Sequence, residues 1–129
     1  MGFNGELLSD WSQRDIIVDI ETRLHPRTSV NWHAFIKTLQ GSISVKTRDI
    51  SVDGACIVYP ADLELEQRFS IFLKPPRAKH IRVIAETVWS DKFNPENREV
   101  FSMGLRFLAI SPADRRFLET FVEIEKWLA

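Results

Sequence analysis

The sequence predicts an all-β fold, an antiparallel barrel of about six strands with an N-terminal arm and a C-terminal α-helix. Three observations predict it. Short runs rich in β-branched and aromatic residues alternate apolar and polar positions with a period of two, turn chemistry separates those runs, and after Ser111 the apolar period becomes helical.

Residues 1–29 carry the weakest pattern, and their apolar cluster Ile16-Ile17-Val18-Asp19-Ile20 is too short to assign by period. This segment reads as an arm, with residues 1–20 set apart from a single domain spanning 21–129. Residues 30–39 suit a first strand, closed by Gln40-Gly41. In the second, Ile43, Val45 and Thr47 alternate with Ser44, Lys46 and Arg48, as expected when one face is buried. Asp53-Gly54 then signals a hairpin, because both residues tolerate positive φ. Residues 55–59 return as a strand before Pro60, and residues 69–73 form another, stopped by Pro75-Pro76. Residues 80–89 and 101–107 alternate again, with the polar stretch 90–99 expected to be a loop between them. Ser111-Pro112-Ala113-Asp114 supplies an N-cap, a proline at the first helical position and an early acid. Phe117, Phe121, Ile124 and Leu128 then recur at helical spacing.

With 129 residues, 44% of them hydrophobic, the chain can enclose one continuous core. A net charge of −1 and a pI near 6.3 supply no broad basic field, which argues against binding nucleic-acid polymers or an anionic membrane surface. A small anion held by a few local arginines remains compatible. Cys56 is the only cysteine, so no internal disulfide forms and a reducing compartment is expected. The start lacks the basic and apolar pattern of a secretory signal, and no apolar run approaches a membrane span. The expectation is a cytoplasmic protein without direct membrane insertion. His25, His33 and His80 have no metal-ligand spacing among themselves or with Cys56, so neither metal nor cofactor is expected.

Two patterns carry chemistry. The first is Arg23-Leu24-His25-Pro26-Arg27, and the second, a strand later, is Asp49-Ile50-Ser51-Val52-Asp53-Gly54. In this order they resemble the PilZ family, whose pattern is RxxxR followed by [D/N]xSxxG. The resemblance covers residues 21–129 and extends to Trp89 and to the run Met103-Gly104-Leu105-Arg106-Phe107, which look like the family's last two strands. It implies a receptor for the bacterial second messenger cyclic di-GMP that is not an enzyme and that regulates a separate protein in motility, pilus or exopolysaccharide output. The ligand residues it implies are Arg23, Arg27, Asp49, Ser51 and Gly54, with Trp89 as an aromatic wall for a base. Thr22 stands where many members carry a further arginine, which leaves open one bound ligand or a stacked pair. Asp53-Gly54 stands where many have Gly-Gly, and the extra anion can weaken binding.

The chemistry is consistent with that ligand on its own terms. An arginine fork can donate paired hydrogen bonds to a phosphate or to guanine O6 and N7. Asp49 can accept from guanine N1 and N2, Ser51 can offer a hydroxyl, and Gly54 can let a ligand approach the backbone. An arm that is loose without ligand and folds onto the barrel with it would change the surface shown to a partner. The blander alternatives are solvated arginines and a hairpin whose acid and hydroxyl bond local backbone amides. A Ser51 nucleophile would need a base that the sequence does not identify. Two other functions compete with the receptor: a PilZ-like interaction module that binds no nucleotide, and a small single-stranded nucleic-acid barrel, which the acidic pI disfavours.

Overall fold

The computed structural model describes residues 26–128. Residues 1–25 of the expected arm, among them 16–20, Thr22, Arg23 and His25, lie outside them, while Thr28 and Ser29, expected in the arm, already belong to the first strand. The described chain runs through β1 (Thr28–Thr38), β2 (Gly41–Ile50), β3 (Gly54–Tyr59), β4 (Arg68–Lys74), β5 (Ile81–Phe93) and β6 (Val100–Ile110), and ends in α1 (Pro112–Leu128). The six strands pair antiparallel in the closed order β1-β2-β3-β6-β5-β4, as expected from the sequence. Closure leaves neither sheet edge unpaired along the paired segments.

Alternation decides which side chains face inward. Trp32, Ala34 and Ile36 of β1, Val45 and Thr47 of β2, Ile57 of β3, Ile71 and Leu73 of β4, Val83 and Ala85 of β5 and Leu105 of β6 are all buried. Their outward neighbours Asn31, His33, Ser44 and Arg82 are exposed. The β1–β2 connection is a two-residue turn at Leu39-Gln40, with Gly41 at φ 120°, a value that favours glycine. Thr38 fastens it, donating from Oγ1 to the Gly41 carbonyl at 2.7 Å and accepting from the Gln40 amide at 3.1 Å.

Of the 90–99 stretch expected as a loop, residues 90–93 continue β5 as strand, and the remaining six form the connection. Pairing of β5 with β6 continues from Ser90↔Met103 to Phe93↔Val100, and the connection is only residues 94–99, with one 3-10 turn at Pro95–Asn97. Residues 90–93 of this hairpin are exposed, so no buried face imposes a period of two on them.

Both barrel ends are covered. At one end Leu63 and Leu65, in the segment between β3 and β4, pack against the core. At the other, α1 is started by the expected cap, the Asp114 amide donating to Ser111 Oγ at 3.1 Å and the Arg115 amide to the Ser111 carbonyl at 2.9 Å. It buries Leu118 and Val122 and sets Phe121 against Trp32 with ring centroids 5.1 Å apart. Among the described residues no helix is long and apolar enough to cross a membrane.

Leu118 is fully buried among the core residues, so its loss leaves a void that the closed barrel cannot readily fill. Leu118→Ala is expected to reduce unfolding free energy in urea by about 2–5 kcal/mol. A loss under about 1 kcal/mol would mean that the helix does not seal the core.

Candidate ligand-binding face

The second motif forms the connection between β2 and β3, and its residues do different things. Ser51 is almost fully buried. Its hydroxyl bonds Asp53 Oδ1 at 2.7 Å and accepts from the Asp53 amide at 3.3 Å, while its own amide donates to the Gly54 carbonyl at 2.9 Å. The turn is fixed to β6 by the Phe107 amide, which donates to the Asp53 carbonyl at 2.9 Å. In this arrangement Ser51 shapes the turn, as the bland hairpin reading expected.

The stated reason for Asp53-Gly54 needs correction, because neither residue has positive φ. What demands glycine is a close approach. A Cβ on Gly54 would lie 2.4 Å from the Leu105 carbonyl oxygen, where β3 begins its pairing with β6. Gly54 thus lets β6 approach, and its missing side chain faces a strand of the same barrel.

Asp49 points outward, and the pairing of β2 explains how. The register runs Thr47↔Ile57, then Asp49↔Cys56, so β2 holds one extra residue and Arg48 and Asp49 together oppose Cys56. Thr47 and Ile50 remain buried on either side. Such a β-bulge turns two successive side chains to one face. A second irregularity in β1, between Ser29 and Trp32, lies beside it. Arg27 stands at the foot of β1, and its Nη1 donates to Asp49 Oδ1 at 3.2 Å. Both side chains are partly buried, at 19% and 25% exposure, which limits the solvent screening of the pair.

The register carries this face across the barrel wall, from Asp49 on β2 to Cys56 on β3, Gly104 on β6 and Trp89 on β5. Three strand spacings separate its ends, about 14 Å along the wall. Trp89 lies flat across β6: a Cβ on Gly104 would fall 2.1 Å from the indole Nε1 and 2.7 Å from Cδ1. Gly104 therefore makes room for the ring, and the ring remains 39% exposed. Cys56, 1% exposed, lies on the same face. Burial holds its thiol above the usual range, while the positive charges of the nearby Arg48 and Arg27 act in the opposite direction. One register step away Arg106 pairs with Glu86.

The structure thus brings Arg27 and Asp49 into contact and places Trp89 on the same face. Gly54 and Ser51 shape the adjoining turn, and Arg23 lies outside the described residues. Sequence reasoning missed Arg48 and Gly104. The break in alternation at Arg48-Asp49 and a glycine inside a strand were the signals for them. Two open clefts of about 500 and 940 Å³ lie around Leu63 and Leu65 at the other barrel end, away from the motif residues. Among the described residues no cluster of His, Cys, Asp or Glu is suited to a metal ion.

A closed six-stranded barrel with a helix over one end and an arginine–carboxylate pair on its outer wall places the chain in a class of small β-barrel domains. The PilZ domain pattern matches residues 21–123, and the chain belongs to that family. Solved structures agree on the fold. The Bacillus subtilis inhibitor of motility MotI/DgrA superposes with a TM-score of 0.70 at 19% identity, covering 83% of this chain and 52% of that one. The PilZ domain of Escherichia coli YcgR with c-di-GMP gives 0.65 at 18% identity, covering 82% and 92%. The K. pneumonia MrkH–c-di-GMP complex gives 0.67 at 14%, covering 78% and 51%. The chain thus spans about half of MotI/DgrA and MrkH. No curated protein matches the sequence.

If the Leu105 contact is what demands glycine at position 54, Gly54→Ala should lower stability by about 1–3 kcal/mol in urea unfolding. Gly54→Asn should do no better. Rescue by asparagine, which tolerates positive φ, would instead restore the turn explanation.

Proposed function

We propose that this chain is a cyclic di-GMP receptor whose ligand sits on the outer wall of the barrel, over Arg27, Asp49 and Trp89. The observation that carries the reading is the contact of two motif residues far apart in sequence, Arg27 and Asp49, on the face that also holds the flat indole. Membership of the PilZ family and the fold shared with the c-di-GMP-bound YcgR PilZ domain and the MrkH–c-di-GMP complex support it.

The roles follow from the donors and acceptors. A guanidinium carries five N–H donors in a fixed fork, so Arg27 can hold Asp49 and bind a phosphate or guanine O6 and N7. Asp49, orienting Arg27, can accept from guanine N1 and N2. Trp89 offers a base a π-face, and stacking of this kind contributes about 1–3 kcal/mol. Ser51 and Gly54 set the turn that follows Asp49, whose outward aim comes from the bulge in β2. Arg23 completes the set from the arm, which closes over the ligand and so alters the surface presented to a protein partner. The fold shared with MotI/DgrA, an inhibitor of motility, supports a motility or surface-behaviour output. The chemistry proposed is binding, with no bond made or broken in the ligand.

Titration calorimetry with cyclic di-GMP should show dissociation near micromolar, about −8 kcal/mol, and a loss of roughly thirtyfold or more in Arg27→Ala. GTP and cyclic di-AMP should not compete. No binding by folded wild-type protein would leave the nucleotide-independent interaction module as the better reading.

Amide exchange across residues 15–30 should slow when ligand is added, because the arm gains contacts. Identical exchange with and without saturating ligand would remove arm closure from the mechanism.

A further inference from the structure

We infer that Arg48 is a third arginine of this face, bonding a phosphate of the bound dinucleotide. Resting on the receptor reading above, the inference adds a residue that neither motif contains, since Arg48 precedes Asp49 and follows the arm.

Three observations converge on it. The first is direction. Regular alternation would have sent residue 48 outward and residue 49 into the core; the bulge sends both outward, opposite Cys56. Arg48 and Asp49 are therefore adjacent on one face, which a regular strand does not permit. The second is charge. Asp49 lies 3.2 Å from Arg27 and offsets its charge. A ligand with two phosphates that met only this pair would gain little Coulomb attraction. Arg48 is exposed, and among the described residues no carboxylate is paired with it. Of Arg27, Asp49 and Arg48, it is the one whose charge no neighbouring carboxylate offsets by an ion pair.

The third is position. Arg48 and Asp49 both oppose Cys56 in the register, and Arg48, Asp49 and Arg27 all act on its thiol electrostatically. Three charged side chains thus surround one small, buried group on the outer wall. The thiol is at most a weak acceptor, so a phosphate oxygen reaching Arg48 displaces no strong partner there. Arg27 would then bond the guanine edge with Asp49, and Arg48 the phosphate.

The test compares wild type with Arg48→Ala, Arg48→Lys and Arg82→Ala by titration with cyclic di-GMP across a range of salt concentrations. Arg82 is an exposed arginine of β5, beside Ser70 of β4, and serves as a control for overall charge. Arg48→Ala should weaken binding at least tenfold and flatten its salt dependence, because one screened ion contact is gone. Arg48→Lys, keeping the charge but not the fork, should recover part of the loss. Arg82→Ala should stay within twofold of wild type, and thermal midpoints of the variants should agree. Equal binding by Arg48→Ala and Arg82→Ala overturns the role of Arg48 while leaving the receptor reading intact. Absence of binding by wild type overturns both.

Discussion

The bulge in β2 is the constraint on which this face depends, because side-chain direction in a strand is otherwise fixed by parity. Thr47 and Ile50 are both buried, three positions apart, and two buried positions separated by an odd step require one extra residue in the strand. That residue brings Asp49 out of the core and toward the foot of β1, where Arg27 meets it. A regular β2 would have pointed the carboxylate inward, where an unpaired charge is costly to bury. The ion pair and the outward aim of the motif are therefore consequences of one extra residue.

Two glycines shape the rest of the wall. Gly54 lets the start of β3 press against the Leu105 carbonyl, and Gly104 lets the Trp89 ring lie across β6. Neither has a positive φ. Both are absences of a side chain at a contact point, which is why neighbouring features can approach so closely. The result is a shallow outer surface, polar beside β2 and aromatic beside β5. Such a surface suits a ligand with phosphates and flat bases better than an enclosed pocket would. The open clefts lie at the far end, around Leu63 and Leu65.

Much of the barrel was legible because its strands bury one face, and burial of one face writes a period of two into the sequence. Ile43, Val45 and Thr47 in β2 and the cap Ser111-Pro112 of α1 were read for these reasons. The outer half of the β5–β6 hairpin was not legible, since residues 90–93 face solvent and carry no alternation. In the site, Asp49 and Arg27 were visible as residue types in a resembling order, but their contact depends on register, which spacing alone does not encode. Ser51 was read both as a hydroxyl for the ligand and as part of a local turn, and its burial and its bonds to Asp53 show the local role, which is compatible with the other. Arg48 was placed as an ordinary outward residue of an unbroken strand. Cys56 was noted only for its lack of a partner cysteine, although it lies among the charges of the site.

The central claim is that ligand recognition occurs on the wall from β2 to β5, and amide and indole NMR shifts on adding cyclic di-GMP test it most directly. The account predicts that the largest changes fall on Arg27, on residues 48–56, on Gly104 and on the Trp89 indole N–H. Segment 60–67 and the end of α1 should be almost unmoved. Shifts concentrated around Leu63 and Leu65, or on Ile124 and Trp127, would contradict it and move the site elsewhere on the barrel.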